Sequence, residues 1–133
     1  MKQYMIFNGA PSFIARSLEK GSFTLHIEHK PGDETVVRIR ATGTPEIEGA
    51  FLQTTDSEET SQYAEYLDRG KPYKTKLWWS ESSKQLHMRF IDKNGWVGYQ
   101  YRKLLDDNTI YMYATLTKQN GESILFETYL KRL

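Results

Sequence analysis

Between residues 73 and 131 strand-like runs alternate with turn signals so closely that an antiparallel meander is the natural fold for this half of the chain. Residues 73–80 (Tyr-Lys-Thr-Lys-Leu-Trp-Trp-Ser) form one run, and residues 85–91 form another with Leu86, Met88 and Phe90 on one face. Asp92-Lys93-Asn94-Gly95 then reads as a hairpin turn, because Asn-Gly accepts positive φ at little steric cost. Runs at 96–103, 109–117 and 122–131 follow, divided by Asp106-Asp107-Asn108 and by a second Asn-Gly pair, Asn120-Gly121. Consecutive hairpins place successive strands side by side.

The first half is patterned more loosely. Phe23-Thr24-Leu25-His26-Ile27-Glu28 alternates apolar and polar, the period of a half-buried strand, and Pro31-Gly32-Asp33 turns the chain. Val37, Ile39 and Ala41 alternate with Arg38 and Arg40 in the next run, and residues 3–8 and 47–54 read as further strands. Two segments read as helices. Residues 11–20 lie between Pro11 and Gly21, which suit a helix start and stop. Residues 57–68 follow Asp56, with Glu59 three positions on, with Tyr63, Tyr66 and Leu67 on one helical face, and with Gly70 beyond.

Run 122–131 is apolar on both faces, Ile124, Phe126 and Leu130 opposing Leu125 and Tyr129, and run 109–117 is similar. Strands with two apolar faces need both faces covered, which suits a curled sheet. The expected fold is therefore mainly β, an antiparallel meander curled into a barrel-like sheet with two short helices, one domain over residues 1–133.

Composition removes several function classes. The chain has 133 residues, no cysteine, and 18 Lys+Arg against 17 Asp+Glu, so it offers no disulfide frame, no thiolate metal site and no strong field for nucleic acid. No apolar run nears the ~18 residues of a membrane span. Tyr4-Met5-Ile6-Phe7 is too short for a signal-peptide core. The default expectation is a soluble protein of the cytoplasm. His26, His29 and His87 lack metal-ligand spacing, so no metal and no cofactor is expected. There is no G-x-S-x-G, P-loop or G-x-G-x-x-G, and no catalytic residue is assigned. Asp106-Asp107 and Glu58-Glu59 fall where carboxylates cap turns and helix starts.

Lys74-Thr75-Lys76-Leu77-Trp78, Leu86, Arg102-Lys103-Leu104, Thr115-Leu116-Thr117 and Glu127-Thr128-Tyr129 together carry a resemblance. Over residues 73–132 the chain resembles the intracellular fatty-acid-binding proteins of the lipocalin-like (calycin) superfamily. The resemblance implies a ten-stranded barrel in which two arginines and a tyrosine grip a lipid carboxylate. It puts Arg102 and Tyr129 at such a head-group site, with Glu127 standing where the family has an arginine. The opening glycine-tryptophan segment of the family is missing, and a helix at 57–68 has no counterpart there.

The candidate ligand-binding residues are Arg102, Tyr129, Glu127, Arg38, Arg40, Trp78, Met88, Phe90 and Tyr111. Arg102 offers a forked donor set and Tyr129 a hydroxyl to a polar head. Glu127 shares the Tyr129 face and is equally suited to an ion pair with Arg102. Arg38 and Arg40 share one strand face, where an anion or plain solvent would meet them. Met88, Phe90, Leu77, Leu125 and one face of Tyr111 and Tyr113 would bury the apolar body. Trp78-Trp79 points its rings to opposite faces, and Trp78 fits either an interior or cross-strand aromatic packing.

The expected function is non-catalytic binding and carriage of a hydrophobic or amphipathic, fatty-acid-like molecule. The alternatives are an interaction or assembly module with a filled core, as a homo-oligomer, and a small enzyme in a cup-shaped sheet. The inward face of strand 122–131 separates them. Glu127 and Tyr129 facing in would make a polar-headed site; Ile124, Phe126 and Leu130 facing in would make the interior a packed core, and the fatty-acid-like reading would collapse.

Overall fold

The computed structural model describes residues 23–43 and 46–133, and the backbone of residues 12–17. The strands are β1 (Ser12–Ser17), β2 (Thr24–Lys30), β3 (Asp33–Thr42), β4 (Leu52–Thr55), β5 (Ala64–Asp68), β6 (Lys71–Ser80), β7 (Gln85–Ile91), β8 (Val97–Asp106), β9 (Thr109–Thr117) and β10 (Ser123–Arg132). They form one ten-stranded sheet in the order β4-β3-β2-β1-β10-β9-β8-β7-β6-β5. A short parallel pairing, Thr54 with Leu77 and Thr55 with Trp78, brings β4 against β6 and nearly closes the sheet into a barrel. In outline this agrees with the barrel implied by the calycin-like resemblance.

The closure follows from the alternation. Leu25 and Ile27 of β2, Val37 of β3, Leu77 and Trp79 of β6, Leu86 of β7, Ile110 and Met112 of β9 and Leu130 of β10 belong to one buried cluster. Only a sheet curled on itself brings side chains from both ends of this strand order into one core. The meander keeps its register: Leu86 pairs with Arg102, Arg102 with Met112, and Met112 with Thr128. Because the side-chain period is two, this fixes the even-numbered residues of β7 to β10 on the inner wall.

Neither expected helix is seen among the described residues. Within 11–20, residues 12–17 form β1, and the rest lies outside the described residues, as does the expected strand at 3–8. Within 57–68, one turn forms at Ser57–Ser61 and β5 follows. Ser57 Oγ accepts from the Thr60 amide at 3.3 Å and Ser61 N donates to Glu58 O at 3.1 Å. Hydroxyl side chains thus satisfy the turn locally and compete with helix. Gly70 is no helix stop. Arg69 at φ 51° and Gly70 at φ 81° form the two-residue turn between the paired residues Asp68 and Lys71.

A clip ties this hairpin to the segment before β4. Buried Asp68 accepts from the amides of Glu48 at 3.3 Å and Gly49 at 3.0 Å. Gly49 sits at φ 69°, and a Cβ there would lie 2.2 Å from the Ile39 carbonyl oxygen, so only glycine passes. The expected strand at 47–54 is divided accordingly, into an isolated bridge from Ile47 to Ala41 and then β4.

Candidate functional site

The inner wall changes character along its length. Leu25, Ile27, Leu77, Leu86, Ile110 and Leu130 are fully buried. Toward the end bearing the β7–β8 and β9–β10 turns, the inward residues Met88, Phe90, Gln100, Ala114 and Leu116 are only half-buried. Ile124 is 48% exposed and Phe126 37%, although both lie on the inner face of β10. One end is therefore a packed core and the other is reached by solvent. Phe90 lies across Gly98 of the neighbouring strand, where a Cβ would fall 2.1 Å from its ring.

Arg102 stands between the two regimes. It lies on the inner wall of β8 between Leu86 and Met112, with 4% of its surface exposed. Its Nη2 donates to Gln100 Oε1 at 2.6 Å, while Nε and Nη1 are buried without a hydrogen-bond partner. Burial pushes the guanidinium from 12.5 down to about 10. Folding ordinarily provides a carboxylate or a full set of acceptors for such a group. Gln100 supplies one bond and no charge.

The other expected site residues are distributed differently. Met88 and Phe90 face inward as expected. Tyr129 and Glu127 do not join Arg102: the even-numbered face of β10 is the inner one, with Leu130 and Thr128 buried, while Tyr129 is 52% exposed on the outer face, so the fatty-acid-like head-group site expected at these residues is not formed. Tyr111 is also outside and donates its hydroxyl to Glu127. That bond raises the pKa of the Tyr111 phenol. Leu125 and Tyr113 lie on the same outer face, so they do not bury an interior ligand. Arg38 and Arg40 are outer residues of β3 with local partners. Arg38 Nε meets Glu28 Oε1 at 2.6 Å, and Arg40 Nη2 donates to His26 Nδ1 at 2.6 Å.

Trp78 is an outer residue too, yet buried. Its ring stacks on His87 at 4.9 Å and an interplanar angle of 1°, and Lys76 Nζ lies 6.0 Å from it and 4.9 Å from the ring of Tyr63 in the 57–63 segment. Glu58 holds that segment down, accepting from Arg89 Nε at 2.6 Å with Lys76 Nζ at 3.5 Å. The Arg89 hydrogen bond keeps the Glu58 carboxyl below its usual range. One of these relations was readable from the sequence. Gln100 lies two positions from Arg102, so parity alone puts it on the same face. The reach of Glu58 to Arg89 spans 31 positions and leaves no local signal.

Among the described residues, no three His, Asp or Glu side chains gather as a metal site would require. No helix there is long and apolar enough to cross a membrane. Compared with protein-family models, curated proteins and solved structures, the chain finds no match.

Proposed function

We propose that this chain is a calycin-like barrel that binds, without catalysis, an amphipathic small molecule whose anionic head sits at Arg102. One observation carries the reading: a fully buried guanidinium with two unpartnered nitrogens and no carboxylate beside it. An uncompensated buried charge costs several kcal/mol, and a fold gains nothing by keeping one unless something else supplies the counter-charge. A carboxylate or phosphate fits the fork of Nε and Nη1, and Gln100 holds the third nitrogen in place. The apolar body would lie toward the solvent-reached end, against Met88, Phe90, Ala114 and Leu116. The packed end leaves the apolar body that direction alone, so a short or compact molecule suits the barrel better than a long chain.

Native mass spectrometry of the purified protein, with denaturing extraction of anything bound, tests the reading in wild type and in Arg102→Met. Wild type carries an acidic adduct and the variant loses it. Stripped of ligand, the variant is more stable by roughly 1–4 kcal/mol, because a buried cation has become a methionine. An adduct retained by the variant, or no adduct together with a destabilised variant, overturns the reading. A ligand-free dimer would instead favour an assembly module built on the exposed Ile124, Leu125 and Phe126.

A further inference from the structure

The outer faces of β6 to β10 carry an unbroken series of aromatic rings. From the exposed end, Tyr129 lies 5.3 Å from Tyr111 between ring centroids, Tyr111 6.0 Å from Tyr101, Tyr101 6.3 Å from Tyr99, and Tyr99 6.3 Å from Trp78. Tyr113 braces the middle, 5.1 Å from Tyr101. Cross-strand aromatic pairs stabilise sheets two at a time. A continuous chain of the two most easily oxidised ring types on four strands, with His87 of β7 lying between Tyr99 and Trp78, is more than pairing needs.

Its inner end is built for a particular event. The Tyr99 hydroxyl and His87 Nδ1 are 2.8 Å apart, and His87 is held flat between the rings of Trp78 and Tyr99. A phenol that loses an electron becomes a very strong acid, so the oxidation comes to rest where a base already holds the proton; a ring without one gives its proton to water and regains it, or passes the oxidation on. Burial, with Arg89 as a smaller cause opposed by Glu58, keeps His87 below its ordinary pKa, so it stands neutral and able to accept. Tyr111 also has a base, Glu127, but the pair is exposed and a carboxylate is the weaker acceptor.

We propose that the outer wall is a conduit and sink for one-electron oxidising equivalents, entering at Tyr129 and coming to rest on Tyr99. A diffusible one-electron oxidant, such as a peroxyl radical, takes an electron from Tyr129 or Tyr111. Electrons then move outward along the rings from Tyr99, whose phenolic proton passes to His87 Nδ1. The products are the reduced oxidant, a neutral Tyr99 phenoxyl and a protonated His87. A one-electron reductant such as ascorbate restores the phenol, with His87 returning the proton. The inner wall of the same strands holds Met88 and Met112, whose thioethers are oxidation targets. The conduit keeps the damage on the outside, whether or not the interior holds a ligand.

Flash oxidation by photogenerated ruthenium(III) tris-bipyridine, followed by freeze-quench electron paramagnetic resonance, tests this on the intact chain. Wild type gives one dominant, long-lived neutral tyrosyl signal. Tyr99→Phe, which deletes a single hydroxyl and keeps the ring, abolishes it. His87→Phe shortens its life by an order of magnitude. Tyr113 also lies 6.4 Å from Tyr99, so Tyr101→Phe and Tyr113→Phe together cut the route, oxidation stays at Tyr111 and Tyr129, and dityrosine-linked dimers increase several-fold. Circular dichroism confirms that each variant is folded; if His87→Phe fails to fold, the two tyrosine variants decide. A signal of unchanged yield and lifetime in Tyr99→Phe, or dimer yield unaffected by the combined Tyr101→Phe and Tyr113→Phe variant, overturns the proposal.

Discussion

The two walls of the same strands treat their polar groups in opposite ways. On the outside of the barrel Arg89 meets Glu58, Arg38 meets Glu28, Arg40 meets His26, and Tyr111 meets Glu127. All of these residues keep some contact with water. Arg40 leaves one buried nitrogen, Nε, without a partner beside its bond to His26; on the inside Arg102, buried more deeply than any of them, has two nitrogens that meet nothing and no ion pair among the described residues. Partnering is cheap where water backs it up and essential where water is absent, so the opposite arrangement needs a cause. The polar pairings of the outer wall are explained by folding alone. Those of the inner wall would be completed by the proposed ligand.

The largest test of this contrast compares neighbouring positions on β7. Leu86 faces in beside Arg102 and is 1% exposed, while Gln85 faces out opposite Ser80. Leu86→Ala should cost about 2–5 kcal/mol in urea unfolding, the loss expected when a packed leucine leaves a cavity. Gln85→Ala should stay within about 0.5 kcal/mol. A Leu86→Ala cost well below about 2 kcal/mol would mean that the wall around Arg102 is loosely filled, and the proposed site would extend into what is described here as core.

The contrast also marks how far the sequence could be read. The meander from β6 to β10 was legible nearly to the residue, because Asn94-Gly95 and Asn120-Gly121 fix their turns and alternation fixes the faces between. Arg102 faces inward, where the resemblance places it. Its expected partners do not, since Tyr129 and Glu127 share a parity opposite to that of Leu130, and a strand apolar on both sides gives no local sign of which parity wins. Closure of the barrel decides it, through contacts such as Phe126 with Phe23, 6.2 Å apart between ring centroids and more than a hundred positions apart in sequence. The 57–68 segment failed for another reason. Asp56, Glu59 and Gly70 imitate helix signals, but Arg69-Gly70 serves as a hairpin turn and the Ser and Thr hydroxyls close the preceding one.

A smaller effect sharpens the outer side. Burial lowers the pKa of His87, so the folded state resists taking its proton. The sign follows from linkage. Above the ordinary histidine value of about 6.5 both states are neutral and nothing is lost; as pH falls through 6.5 toward the lower folded value, the unfolded chain binds the proton first and stability drops. His26 is shifted the same way by burial and adds its own share. The readout is therefore a difference. Between about pH 7.5 and about pH 5, wild type should lose more of its urea midpoint than His87→Phe does. Equal losses would place the sensitivity at His26 on the other side of the barrel.

The smallest effect is the most exacting check on the claim that the outer wall is satisfied. Glu58 has a side chain 42% exposed and Arg89 one 36% exposed, so water screens their pairing. A double-mutant cycle of Glu58→Gln and Arg89→Gln should give a coupling of only about 0.2–1 kcal/mol, shrinking as salt is added. The carboxyl is held below its usual range, so the coupling is present at neutral pH and fades only as pH falls through that lowered value. Both single variants lose stability slightly, whereas Arg102→Met gains it. That opposition of sign between two arginines on adjacent strands, Arg89 on β7 and Arg102 on β8, is what separates a charge that folding has provided for from one kept for a ligand. A coupling of zero would mean that water and the Tyr99 ring, 4.8 Å from the guanidinium, satisfy Arg89 without Glu58, and the contrast between the walls would then rest on solvent access and not on pairing.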